Sequence, residues 1–549
     1  MPPEPTNAAQ TGTAAGRRAW RAPLAALLGG GLQALCFAPG PLPAWSLPFV
    51  QIATLAVLAA LTFHAAGPRR AAILGWLFGL SQFGIGVYWL TISMHRFGGL
   101  PLLLAVAALL LFAAAMAAYA AGACALTAWL CAGQGSPERR APRQILNAIA
   151  WASAWTLAEW LRGTLFTGFT WLNIGYAHAE GMFAAWAPFV GVYGLAWLAA
   201  FSAAAVALMA RAKDTAYDRS AAAVVGLALL AGLLGIAWSH MEWSRPLGNP
   251  LMVRLVQPAT PQSDKFQPEL FLPTQDRIQR LASLAPKSEA DRPAVVILPE
   301  TVLPVFQDQV PEAVWRQWQA AAETMGATFV LGAPLHVATP TGDRYTNGAI
   351  ALRPQAASPS AAGNGWHYDK RHLVPFGEFI PPGFHWFVRA LQIPLGDFDR
   401  GTERQPPLAV DDQFLAVDIC YEDTFGEEIA ATVASDGPDA PGASILVNLS
   451  NLAWFGDGWA LRQHLWIARM RALETARPVV RATNTGATAV IDAHGQVLGA
   501  LDPGRPGVLD AEVQGTQGLT PYVRWGNAPI LAWTLLGLLL AARKRRYPA

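Results

Sequence analysis

Apolar residues are distributed along this chain in three blocks. From residue 24 to residue 238 long runs of Ala, Leu, Gly, Trp and Phe are broken only by short charged gaps. From 251 to 517 short β-branched runs alternate with polar loops, as in a soluble domain. A last apolar run, 527–540, is followed by Arg543, Lys544, Arg545 and Arg546. A helix needs about 20 mostly apolar residues to cross a bilayer. The runs 24–39, 45–65, 71–92, 100–132, 145–162, 183–210, 220–239 and 527–542 approach or exceed that length, which predicts about eight spans, seven before the mixed block and one after it.

Within the mixed block, strands are expected at Leu251–Gln257, 294–299, 328–332, 347–352, 414–419, 444–448, Val479–Thr483 and 487–492. Helical patterns fall at 311–325 and 459–476. Strands and helices mixed in this way predict an α/β or α+β sandwich with largely buried sheets. The expected domains are an N-terminus without structure at 1–21, a transmembrane domain at 22–240, a soluble domain at 250–517, and a last span with a basic tail at 527–549.

Composition supports the division. Of 549 residues 53% are hydrophobic and 14% charged, against about 25% charged in soluble proteins. The net charge of +2 points to no partner, and no basic block is long enough to suggest nucleic acid. Placement of the basic residues is informative. Arg17, Arg18 and Arg21 precede the first span, Arg69 and Arg70 follow the second, and Arg139, Arg140 and Arg143 follow the fourth. Arg211, Lys213 and Arg219 follow the sixth, whereas 39–44 has no positive residue and the loop near Phe97 has Arg96. Positive loops stay cytoplasmic. Both termini are therefore expected in the cytoplasm and the soluble domain outside, on the periplasmic side of a bacterial inner membrane. Arg17–Arg21 before an apolar run also fits a cleaved signal peptide; the regular alternation over seven further spans favours a retained first span.

Three of the four cysteines, Cys36, Cys124 and Cys131, lie in apolar runs and fit small core residues. Cys420 is the single cysteine of the exported block, so it has no disulfide partner there. It ends the run from Phe414, as Glu300 ends the run from Ala294. Functional groups of α/β proteins collect at the carboxyl ends of strands. Lys370 lies in a Pro- and Gly-containing loop. Taken singly, the Glu fits a cap, the Lys a solvated loop and the Cys an inert core residue. Taken together they fit covalent acyl chemistry. A thiol attacks only as thiolate, a carboxylate can take its proton, and the resulting oxyanion needs a cation or aimed N–H groups. A second carboxylate, Glu378 or Glu422, would hold the Lys charged. No metal is expected: the soluble block has no His-Glu-x-x-His and no Cys pair, and His336, His367, His372, His385, His464 and His494 show no ligand spacing. In the spans, Glu159 and Arg162 form an i,i+3 pair that fits either a structural ion pair or a contact to headgroups or the site.

The segments Leu298-Pro299-Glu300-Thr301, Lys370 to Phe379 (KRHLVPFGEF) and Cys420-Tyr421-Glu422-Asp423 resemble, in order, the three catalytic segments of the nitrilase (carbon–nitrogen hydrolase) superfamily. Ser450 to Gly456 (SNLAWFG), Gln463-His464-Leu465, Ala468 to Pro478, Glu159 to Gly163 and Phe166 to Trp171 narrow the resemblance to its membrane-bound N-acyltransferase branch. That resemblance covers nearly the whole chain. It implies an αββα sandwich in which Glu300 is base, Lys370 oxyanion stabiliser and Cys420 nucleophile, with Glu378, Tyr421 and Glu422 in support. It also implies a reaction without cofactor. An acyl chain passes from a phospholipid, typically phosphatidylethanolamine, to Cys420 as a thioester. It passes next to the α-amino group of S-diacylglyceryl-cysteine at an apolipoprotein N-terminus. Phe266 stands where that branch usually has Trp, and Leu452, after Asn451 and before Trp454, where it usually has Asp; both bear on substrate contacts. The segment 381–398, with Trp386 and Phe387, reads either as core or as an apolar arm at the membrane interface that shields the acyl chain. Two other functions stay open: a membrane-tethered amidase for a small amide, which the same trio would serve, and a transporter or scaffold without chemistry.

Overall fold

The computed structural model describes residues 9–132, 141–210, 215–340, 342–354, 365–381, 383, 397–434 and 441–546. Helices Ala9–Gln33, Leu47–Phe63, Pro68–Gly86, Leu102–Cys131, Ala141–Thr164, Ala187–Met209, Thr215–Trp238 and Ala528–Arg546 occupy the apolar runs. Among the described residues four helices are long and apolar enough to cross a membrane: Ala44–Phe63, Leu102–Cys131, Ala184–Met209 and Arg219–Trp238. A fifth candidate is the pair Pro68–Gly86 and Leu90–Phe97, bent by 59°. The chain thus carries a membrane region. Its first helix begins at Ala9, inside the stretch expected to lack structure; Ala14, Ala15, Arg17 and Arg18 are good helix formers.

Small residues bring these helices together. A Cβ on Gly79 would lie 2.8 Å from the Ala117 Cα, and one on Gly75 would lie 2.6 Å from the Ala120 carbonyl oxygen. Backbones approach this closely only where side chains are small, the usual basis of helix contact in lipid. Glu159 and Arg162 are buried and 3.7 Å apart. Glu159 accepts the Ile174 N–H, and Arg162 donates to the carbonyls of Phe169 and, at 2.6 Å, Trp171. The pair therefore shapes the turn 165–174.

Among the described residues the soluble block forms two six-stranded sheets. Beyond a short ladder of β1 (Arg245–Pro246) with β14 (Thr516–Gln517), the strands are β2 (Leu251–Gln257), β3 (Val295–Ile297), β4 (Thr328–Thr339), β5 (Gly342–Leu352), β6 (His367–Asp369), β7 (Leu408–Val410), β8 (Gln413–Ile419), β9 (Ile445–Ser450), β10 (Val479–Thr483), β11 (Ala489–Ile491), β12 (Val497–Ala500) and β13 (Gly507–Val513). One sheet runs β13-β2-β3-β4-β5-β6, the other β12-β11-β10-β9-β8-β7. In each, three strands are parallel, β2–β4 and β8–β10, and the flanking strands are antiparallel.

Alternation along the strands makes the layers. Val253, Leu255, Val295 and Ile297 meet Leu415, Val417, Ile445 and Val447 between the sheets. Phe329 and Leu331 pack outward on Ile278, Trp315 and Trp318 of helices Phe271–Ala282 and Glu312–Met325. Ala416 and Leu446 pack outward on Ile429, Val433, Ala468 and Ala472 of helices Gly426–Val433 and Trp459–Thr475. This is the expected αββα order.

The sandwich docks on the membrane helices through one side. Tyr421, Phe425, Trp466, Ile467, Met470 and Leu473 share a buried cluster with Trp89, Trp171, Tyr176 and Val192. The turn that begins at Cys420 is therefore at the junction.

Candidate active site

Glu300 follows β3 by way of Leu298 and Pro299. The neighbouring strand leaves room for it: a Cβ on Gly332 in β4 would lie 2.7 Å from the Glu300 Cα and 2.6 Å from the Pro299 carbonyl oxygen. The buried carboxylate accepts Asn347 Nδ2 at 2.8 Å and Lys370 Nζ at 3.3 Å on Oε1, and the Asn451 backbone N–H at 2.9 Å on Oε2. Lys370 follows β6, and its backbone N–H donates to the Asn347 carbonyl at 2.7 Å. Its Nζ also donates to Glu378 Oε1 at 2.9 Å. Glu378 further accepts Asn347 Nδ2 at 2.6 Å and the Val374 N–H at 2.8 Å. One amide, one ammonium and two carboxylates thus close a buried ring of hydrogen bonds.

Charge within the ring follows from these contacts. Burial works against the ammonium of Lys370, but the carboxylates of Glu378 and Glu300 outweigh it and hold the pKa above the usual lysine range. Cys420 follows β8 with φ 53°, a left-handed conformation that costs a non-glycine residue about 1 kcal/mol or more. Burial and the nearby Glu300 hold its thiol well above the usual range, although Lys370 and the Asn451 N–H pull the other way. The sulfur thus rests as a thiol within electrostatic reach of Glu300, Lys370 and Glu378. Such a site can take a proton from sulfur as it attacks and meet the new oxyanion with a fixed cation.

Glu422 does not join the ring. Its carboxylate accepts the Tyr368 hydroxyl at 2.9 Å and the N–H groups of Ile419, Arg371 and His372 at 2.6, 2.6 and 3.0 Å. It therefore clamps the Cys420 turn to the Lys370 loop, and Glu378 is the second carboxylate on the lysine. Tyr421 reaches the membrane region, donating its hydroxyl to the Gly168 carbonyl at 2.9 Å. His372 does the same from the Lys370 loop, with Nε2 2.8 Å from the Thr167 carbonyl oxygen. Asn451 contributes its backbone to Glu300 and its side chain to Gln262 and Asn484, each at 3.0 Å. Phe266 is 52% exposed and lies 6.3 Å, ring to ring, from Trp454, which meets Phe97 edge-on at 5.4 Å. These two positions form an aromatic rim with the bent membrane helix. Trp386 and Phe387 lie outside the described residues.

Reading the sequence missed Asn347 and Lys265. Lys265 is buried and donates to the Glu300 carbonyl at 3.2 Å. Burial lowers its pKa to about 8, against the pull of Glu300 and Cys420. Its place directly before Phe266 was the available signal. Metal-ligand clusters are absent among the described residues.

An αββα sandwich with Glu, Lys and Cys gathered at its strand ends, seated on apolar helices, defines a membrane-attached protein of the carbon–nitrogen hydrolase class. Residues 253–522 match the family model for carbon-nitrogen hydrolase, and residues 29–205 match that for the apolipoprotein N-acyltransferase N-terminal domain. The apolipoprotein N-acyltransferase of Bordetella bronchiseptica is 50% identical over 96% of this chain and 98% of its own. That of Ralstonia nicotianae is 44% identical over 96% and 94%. Among solved structures, an amidase from Nesterenkonia sp. AN1 aligns with 52% of this chain and 97% of its own at 19% identity and a TM-score of 0.34. The chain belongs to the apolipoprotein N-acyltransferase family.

Proposed function

We propose that the protein N-acylates lipoproteins, carrying the acyl group from a phospholipid as a thioester on Cys420. In the first half, Glu300 takes the thiol proton as sulfur attacks the ester carbonyl carbon. Lys370 holds the oxyanion. Collapse breaks the ester C–O bond, and the leaving lysophospholipid oxygen takes the proton from Glu300. In the second half, the free α-amino group of an S-diacylglyceryl-cysteine attacks the thioester. Its proton passes through Glu300 to the departing sulfur, and an amide forms. A thioester is itself an activated acyl carrier, so no ATP is required. Glu378 and Asn347 hold Lys370 and Glu300 in register.

The observation that carries this reading is the seating of the nucleophile turn on the membrane region, through Tyr421 to Gly168 and His372 to Thr167. A soluble amide needs no such seat; a lipid does. The aromatic rim of Phe266 and Trp454 supports a lipid path. The reading of 381–398 as an apolar arm belongs to that proposal; among the described residues that flank it, the Ile380 N–H donates to Asp397 and the Phe398 N–H to the Glu378 carbonyl, both at 2.9 Å. We further propose about eight spans with both termini cytoplasmic, the catalytic domain (250–517) periplasmic, and phosphatidylethanolamine as donor. The test is transfer of labelled acyl chains from phosphatidylethanolamine vesicles to a diacylglyceryl peptide. The intact enzyme should transfer and Cys420→Ser should not, because a base suited to a thiol ionises serine poorly. Hydrolysis of small amides without acyl transfer would overturn the proposal.

A further inference from the structure

Beyond the trio, one buried arrangement ties the nucleophile to the membrane helices. Gln463 and His464 are neighbours on helix Trp459–Thr475 and both are buried. The side-chain oxygen of Gln463 accepts the indole N–H of Trp89 at 3.1 Å and of Trp171 at 2.8 Å. Its amide nitrogen donates to the Gly86 carbonyl at 3.0 Å, at the break in the bent helix. Trp171 then stacks on the His464 ring, with centroids 5.5 Å apart and planes at 18°. His464 Nε2 lies 3.0 Å from the carbonyl oxygen of Cys420.

The tautomer follows from the other ring nitrogen. His464 Nδ1 faces the Arg481 guanidinium, which can only donate, so Nδ1 accepts and Nε2 carries the proton. Arg481 is in turn held by Asp423 at 3.2 Å and by the His464 carbonyl at 2.8 Å. A neutral, fixed imidazole therefore donates to the carbonyl of the one residue whose left-handed backbone aims the thiol. Asn448 reaches the same carbonyl at 3.5 Å, a longer and weaker bond.

We propose that Gln463, His464 and Trp171 form a latch by which the membrane region holds the strained backbone of Cys420 in its reactive conformation. These are positioning residues, acting through Cys420. The inference rests on Cys420 as nucleophile. It means that packing of Trp89 and Trp171 among the membrane helices sets the rate of acylation.

The experiment measures the rate constant for acylation of Cys420 by phosphatidylethanolamine vesicles, and the rate of Cys420 alkylation by iodoacetamide, in purified full-length protein. His464→Leu should slow acylation about tenfold, the weight of one hydrogen bond, with half-saturating phospholipid unchanged. His464→Gln keeps a donor near the Nε2 position and should recover most of the rate. Trp171→Phe keeps the stacking face and removes the N–H; it should slow both reactions about threefold, and it decides the matter if His464→Leu does not fold. Unchanged acylation and alkylation in folded His464→Leu or Trp171→Phe overturns the latch alone, as does His464→Gln no better than His464→Leu. Acyl adduct that persists in Cys420→Ala overturns the nucleophile and the latch with it.

Discussion

At the scale of single residues, the proposed chemistry turns on how a thiol that rests protonated is made to attack. Burial, and with it the nearby carboxylates of Glu300 and Glu378, disfavours a standing thiolate at Cys420. In the proposed reaction proton removal therefore accompanies attack, with Lys370 as the fixed positive charge. Lys370→Met keeps the stem and removes that charge; thioester formation should fall about 100- to 1,000-fold, the usual cost of an oxyanion donor, as followed by release of lysophospholipid in a single turnover. Lys265 adds a pH dependence. Its pKa near 8 leaves it charged below that pH and neutral above it, while Lys370 stays charged throughout. The rate of thioester formation should therefore decline above about pH 8, and Lys265→Met should abolish that limb. A limb that persists in Lys265→Met would assign it to another group. Within the proposed trio, Glu300 and Cys420 stood out because each ends an apolar run, and Lys370 because it lies in a Pro- and Gly-containing loop and makes chemical sense with the other two. Lys265 did not: apart from its place before Phe266, a lysine in Gln262-Ser263-Asp264-Lys265 reads as part of a solvated turn, and its contact to Glu300 lies 35 residues away in sequence.

Among the elements, the long, mostly buried strands were the easiest to anticipate. β2, β8 and β10 are mostly buried on both faces and read as β-branched and apolar runs, each interrupted by one charged residue, Arg254, Asp418 and Arg481. β12 and β13 were not anticipated, because β12 is largely exposed, both alternate weakly, and they gain their order only by pairing with β11 and β2. β6 and β7, three residues each, are too short to show a period. Element packing also fixes the proposed base. Gly332→Ala would press on the Glu300 backbone at 2.7 Å. A displacement of about 1 Å costs on the order of 100-fold in rate, so acyl transfer per folded molecule should fall by that order, with a lower melting temperature beside it. A large loss of stability with normal turnover per folded molecule would show that the contact serves the fold alone. Tyr421→Phe removes the bond to Gly168 and should lower unfolding free energy by about 1 kcal/mol, read as a lower melting temperature in detergent.

For the whole molecule, the order of membrane helices, sandwich and last helix could be read from the apolar blocks alone. What could not be read was the contact between them: Gln463 bonding Gly86, 377 residues away, has no local signature. Orientation is tested by cysteine labelling in cells. An impermeant reagent should reach a cysteine at Ser288, in the catalytic domain, and not one at Ala66, between the second and third apolar runs. The reverse pattern would invert the topology. The proposed reaction stands on the acyl-enzyme. Purified protein is mixed with phosphatidylethanolamine of a single acyl chain length, without acceptor, and its intact mass and peptides are measured. The peptide containing Cys420 should gain the mass of one acyl group and lose it on addition of a diacylglyceryl peptide, as that peptide gains the same mass. No adduct, or an adduct unchanged in Cys420→Ala, would contradict the proposed reaction.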